Sequence, residues 1–176
     1  MTGVAQIRDQ VAGAARRQQD RYAGDADRPL RGYLATMTVY AGLVGLIAGG
    51  IRVSGRQPPD RLDPVDIALS AVATHKLSRL LSRDSVTSPL RAPFTSYRGS
   101  AGPAELSEEV RGEGGRKAVG ELITCPFCTG VWIATALTAG LICLPRTTRL
   151  VTGTLTALTG SDLLHYAHAL LDKAAG

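Results

Sequence analysis

Leu34-Ala35-Thr36-Met37-Thr38-Val39-Tyr40-Ala41-Gly42-Leu43-Val44-Gly45-Leu46-Ile47-Ala48-Gly49-Gly50-Ile51 is an 18-residue run without a charge, and its reading decides the fold. As a helix rising 1.5 Å per residue it is about 27 Å long, close to the ~30 Å hydrocarbon core of a bilayer. Its glycines, Gly42, Gly45, Gly49 and Gly50, would weaken a helix in water. In lipid they are tolerated, because small residues let neighbouring helices approach closely. The run therefore predicts a transmembrane helix. The whole chain of 176 residues says less, with 44% hydrophobic residues and a mean hydropathy of +0.05. That average mixes apolar segments with strongly charged ones.

Three further segments extend the pattern. Cys128 to Leu144 is uncharged and stops at Pro145, which predicts a second hydrophobic helix. Leu150 to Leu171 would be about 33 Å long as a helix, yet it carries Asp162, His165 and His168. Val65 to Leu81 is interrupted by Asp66, His75, Lys76 and Arg79. Amphipathic helices of a soluble bundle would explain such polar positions as wet faces. Four spanning helices in two hairpins fit the rest better. The short connection from Pro145 to Arg149 makes its flanking helices antiparallel neighbours, and Pro58, Pro59 and Pro64 punctuate the first connection. The expected fold class is thus an all-α polytopic membrane protein with about four transmembrane helices. A basic arm, 1–33, precedes a membrane domain, 34–171, that contains a loop at 82–124, and a tail follows at 172–176.

Charge orients this arrangement. Lys and Arg number thirteen in the arm, the 82–124 loop and the tail, against five in the two opposite connections. Basic residues favour the cytoplasmic side, so both termini and the loop are expected in the cytoplasm, and the chain in the bacterial inner membrane as a multi-pass protein. The arm lacks the apolar core of a secretory signal, and Gln6 to Tyr22 could form a charged surface helix. Within the loop, Glu105 to Lys117 reads as mobile or partly helical. The formal charge of +5 comes without basic blocks interleaved with aromatic residues, which are only 5% of the chain, so no nucleic-acid partner is expected.

Cys125-Pro126-Phe127-Cys128-Thr129-Gly130-Val131-Trp132 places two thiols at the threshold of the second apolar helix. A helix start and nearby Arg116 or Lys117 favour thiolate, and Cys-x-x-Cys supplies half of a tetrahedral zinc site. His75, His165 and His168 lie on the same side of the expected topology and could complete a metal cluster, or a second copy could bring its own pair. A plainer reading competes with these. Pro126 suits the first helical turn, and Cys125 and Cys128 can serve as small apolar contacts. Cys143, at the far end of the same helix, is a packing residue.

The stretch Thr74-His75-Lys76-Leu77-Ser78-Arg79-Leu80-Leu81-Ser82-Arg83 makes a basic stripe, because residues three and four apart share a helix face. Lys76, Arg79 and Arg83 can snorkel to lipid headgroups, whereas an ionisable group turned into the bundle would be a functional-site candidate. In Val86 to Phe94, two prolines and Arg91 could fold over the inner mouth, with Arg91 binding a lipid phosphate, contacting a partner or pairing with Asp84. Asp162 and His165 give the last helix a polar face. Nucleotide-binding glycine patterns, nucleophile elbows and metalloprotease motifs are absent from the sequence.

Taken together, Thr74-His75-Lys76-Leu77-Ser78-Arg79, Val86-Thr87 with Leu90-Arg91-Ala92-Pro93-Phe94, and Glu121-Leu122 with Cys125-Pro126-Phe127-Cys128 and Trp132 resemble the bacterial domain of unknown function 1360 family. The resemblance covers roughly 31–144. It implies a small multi-pass membrane protein with no established activity. The positions it singles out are Lys76, Arg79, Thr87, Arg91, Pro93, Cys125, Pro126 and Cys128, and it implies basic anchoring, loop folding and helix initiation for them. The expected function is a non-enzymatic scaffold that presents its cytoplasmic loop to lipid, to a protein partner or to a second copy. A metal or thiol-redox protein, with zinc at the cysteine pair, and a small ion or solute transporter using Lys76, Asp162 and His165 are the alternatives.

Overall fold

The computed structural model describes residues 2–24 and 28–175. Its elements are α1 (Thr2–Ala23), α2 (Leu30–Val53), α3 (Pro64–Arg83), α4 (Ser88–Arg91), β1 (Thr95–Gly102), β2 (Glu105–Val110), α5 (Gly114–Thr124), α6 (Pro126–Cys143) and α7 (Pro145–Ala175). The charged arm forms a helix, as its sequence allows. Among the described residues two helices, α2 and α6, are long and apolar enough to cross a membrane. The other two expected spans are not of that kind: Asp66, His75, Lys76 and Arg79 in α3 and the polar positions of α7 hold those helices below that mark.

The helix starts follow from local chemistry. Asp63 caps α3 by accepting the Val65 N–H at 2.7 Å, with Pro64 in the first turn, where its missing donor costs nothing. Cys125 caps α6 in the same way: its Sγ accepts the Cys128 N–H at 3.3 Å, and Pro126 follows it.

Contacts along the helices fix their directions. Ser82 of α3 bonds Thr129 of α6, while Ala73, Ile133 and Leu137 form the small core with Leu77, Leu81 and Leu155 around them. The two helices are therefore antiparallel. Asp66 meets Arg149 and Lys76 meets Asp162, so α3 and α7 run parallel. Tyr40 of α2 packs edge-on against Trp132 of α6, with centroids 5.1 Å apart, and its hydroxyl lies 2.7 Å from Thr135 Oγ1. The second hairpin, α6 with α7, is packed as expected. The first is not, because α2 rests chiefly on α5 and α6 and not on α3. Gly32 makes the α2 to α5 approach possible: a Cβ there would fall 2.7 Å from the Ala118 Cβ.

The 82–124 loop overturns the all-α expectation. β1 and β2 pair antiparallel, from Thr95 opposite Val110 to Gly102 opposite Glu105. The segment read as mobile or partly helical thus divides into a strand, a turn and a helix. Gly112 and Gly114 adopt φ of 93° and 55°, left-handed values that favour glycine, and they reverse the chain between β2 and α5. α5 and α3 back the hairpin, which alone would be marginal.

The chain exposes 12312 Å². A compact monomer of 18.5 kDa exposes about 8,200 Å². Much of the excess is apolar: Leu34, Met37, Val39 and Leu46 of α2 are all more than 60% exposed.

Candidate functional site

Two ionic clusters surround the C-terminal end of α3. The first is built on Arg91. A helix leaves its last carbonyls unpaired, and here the following turn supplies the donors. Thr87 Oγ1 donates to the Leu80 carbonyl, Arg91 Nη1 donates to the Leu81 carbonyl at 2.8 Å and to Thr87 Oγ1 at 2.7 Å, and Nη2 donates to the Asp84 carbonyl at 2.8 Å. Arg91 Nε pairs with Glu108 of β2. The guanidinium side chain is 1% exposed and that of Glu108 7%. Arg91, expected as a lipid or partner contact, is buried within the chain. It is the buried fastener between α3, α4 and the hairpin, and the expected link to Asp84 runs through that residue's backbone carbonyl.

The second cluster lines a cleft of about 670 Å³ between α3, α7 and the hairpin turn. Lys76 pairs with Asp162 of α7, and Arg79, one turn further on, pairs with Glu105 of β2. His75, His165 and Tyr166 lie on its walls beside Leu80, Leu163 and Ala169. Ala104, at the rim, has φ 60°, the one non-glycine residue with a left-handed backbone among those described. Its carbonyl accepts the Ser85 N–H at 2.9 Å, and Asp84 bridges Glu105, so the turn is tied to the end of α3. Of the expected basic stripe, Lys76 and Arg79 are held in ion pairs, while Arg83 is half-buried and pairs with no described acid.

The candidate metal ligands do not assemble. His75 and His165 share the cleft, but Cys125 and Cys128 sit at the start of α6, and His168 faces Asp172 at 3.6 Å. Among the described residues no group of three or more His, Cys, Asp or Glu is placed to hold a metal ion. His75 lines the cleft shared with α7, whereas the start of α6 meets α3 at Ser82 and, through Gly130, at Thr74. All three cysteines are free thiols.

Sequence reading missed Glu105 and Glu108. A signal existed, since Leu106, Glu108 and Val110 alternate along β2 and put a carboxylate on the strand's apolar side. It was readable only once the segment was recognised as a strand.

Fold and site define a small helical protein with two helices long and apolar enough to cross a membrane, a hairpin fastened to the end of a third, and a charged cleft beneath the hairpin turn. The chain belongs to the family described as protein of unknown function (DUF1360), whose profile matches residues 69–168. The match corrects the expected extent. It leaves out α2 and takes in most of α7, the helix that supplies one wall of the cleft. The sporulation protein YjcA of Bacillus subtilis (strain 168) is 36% identical over 76 residues, which make up 42% of this chain and 64% of that protein. The similarity thus spans just under two thirds of that relative. No solved structure matches the chain.

Proposed function

We propose that the chain is a non-enzymatic scaffold of the bacterial inner membrane that holds a folded hairpin at the cytoplasmic face. One observation carries the reading: α2 is long and apolar enough to cross a membrane, and its most apolar 18 residues are not buried within the chain. Apolar surface on that scale marks a membrane or protein interface. In this reading α2 and α6 face lipid, and α3 and α7 cross beside them with their charges paired. The excess of Lys and Arg in the arm, the loop and the tail supports a cytoplasmic position for those regions. The likeness to a sporulation protein suggests an assembly role in an envelope-associated process.

Cysteines introduced one at a time into a chain whose three native cysteines are replaced by serine test the topology. In intact cells Gln57→Cys, in the connection after α2, should react with a membrane-impermeant maleimide. Ser100→Cys, in β1, should react only after permeabilisation. Equal labelling of both in intact cells, or release of the protein from membranes by detergent-free alkaline washing, would overturn the reading.

A further inference from the structure

We propose that the cleft beneath the hairpin turn binds the zwitterionic headgroup of an aminophospholipid, a phosphate diester carrying a primary ammonium. The ligand class follows from what the cleft contains. Lys76 and Arg79 stand one turn apart on α3, and each meets a carboxylate from a different element, Asp162 on α7 and Glu105 on β2. A purely anionic guest would draw off the two cations and leave two carboxylates unpaired. A purely cationic guest would strand Lys76 and Arg79. Either outcome leaves two like charges in the cleft without their partners. A guest with both charges exchanges partners without leaving any group alone: its phosphate takes Lys76 and Arg79, and its ammonium takes Asp162 and Glu105.

Size and exposure agree with this. A volume of about 670 Å³ falls within the range of small-molecule sites. The Lys76 side chain is 20% exposed and that of Asp162 41%, so the pair can open without unpacking the core. Leu80, Leu163, Tyr166 and Ala169 give the same cleft an apolar wall. Toward the bilayer in the proposed topology, Leu158 and Val151 lie at seven-residue steps before His165 of the cleft wall and are 45% and 43% exposed, which provides a track for acyl chains. That track favours a lipid over a free zwitterion of the same chemistry.

The lipid form of the proposal rests on the membrane reading, and two measurements on the full chain separate their failures. The first is binding of glycerophosphoethanolamine, glycerophosphocholine and glycerophosphoglycerol to the detergent-solubilised protein by calorimetry. The second is flotation with phosphatidylcholine vesicles that contain or lack phosphatidylethanolamine. Glycerophosphoethanolamine should bind at least tenfold more tightly than the other two. The primary ammonium donates hydrogen bonds to both carboxylates, which a quaternary ammonium cannot do. Lys76→Gln and Asp162→Asn, made separately, should each remove that preference, and co-purified phosphatidylethanolamine should fall with it. Equal affinity for all three headgroups in a protein that floats sinks the cleft and spares the membrane reading. Selective binding in a protein that does not float sinks the membrane reading and assigns the cleft to a free zwitterion. Variants that keep the preference would place the bound headgroup elsewhere and overturn the assignment.

Discussion

Arg79 near the end of α3 and Arg91 in α4 just after it are neighbouring basic residues, yet they occupy opposite physical situations. Arg91 is sealed in: its donors meet three oxygens of the surrounding turn and the Glu108 carboxylate, and no part of it reaches solvent in quantity. Arg79 pairs with one carboxylate, and its side chain stays 47% exposed. The first arrangement uses four of the five guanidinium N–H donors and is sealed from solvent, and removing it would leave a buried charge and bare helix-end carbonyls. The second can trade partners at little cost. Burial with near-saturation of donors, not basicity, therefore separates the structural arginine from one available for binding.

The largest effect should come from breaking the saturated side. Arg91→Ala strands Glu108 and reopens the Leu81 and Asp84 carbonyls, for a loss of about 3–5 kcal/mol. Hydrogen exchange in detergent should then show rapid exchange of the β1 and β2 amides while α6 stays protected. Replacing Arg91 and Glu108 together by Met and Leu should recover only part of the loss, because the carbonyls remain without donors. Full recovery would show that the ion pair alone matters.

A steric version of the same test is smaller. Gly120 of α5 backs the hairpin so closely that a Cβ would lie 2.6 Å from Val110 Cγ1 and 3.3 Å from the Phe94 carbonyl oxygen. Gly120→Ala should cost about 1–3 kcal/mol, read as a lowered thermal midpoint. No loss would mean that the hairpin can slide on α5, and that the fastening by Arg91 acts without support.

These elements also show what the sequence could and could not disclose. The apolar helices were legible because an uncharged run of 18 residues is long enough as a helix to match a bilayer, and helix starts were legible from Asp63-Pro64 and Cys125-Pro126. The hairpin was not. Thr95 to Gly102 holds two glycines and Glu105 to Val110 three glutamates, so both are poor strands by propensity, and burial against α5 and pairing with Arg79 and Arg91 decide their state. The cleft was half legible: Lys76, Asp162 and His165 stood out as polar positions on apolar helices. Their convergence depends on α3 and α7 running parallel, which only packing sets.

The cysteine pair supplies a smaller effect. Cys125 Sγ accepts one N–H of the first turn of α6, the task that Ser or Asp performs at most helix starts. Cys125→Ser should leave the thermal midpoint nearly unchanged, whereas Cys125→Ala should cost about 1 kcal/mol. If Ser and Ala are equally damaging, the thiol has a role that a hydroxyl cannot fill, and metal or redox chemistry regains the advantage over capping.

The smallest expected change sharpens the comparison most. Arg79→Gln removes a half-exposed pair of the kind usually worth about 0–1 kcal/mol, so unfolding in detergent should barely shift while headgroup binding weakens. The two readouts must separate here, as they cannot at Arg91, where any loss of binding would follow from loss of the hairpin. A destabilisation near that of Arg91→Ala would mean that the Arg79 to Glu105 link fastens the turn as firmly as Arg91 fastens the strands. The cleft would then be a second structural lock with no charge free to exchange, and the exposed Leu163 wall would have to be explained by lipid contact alone.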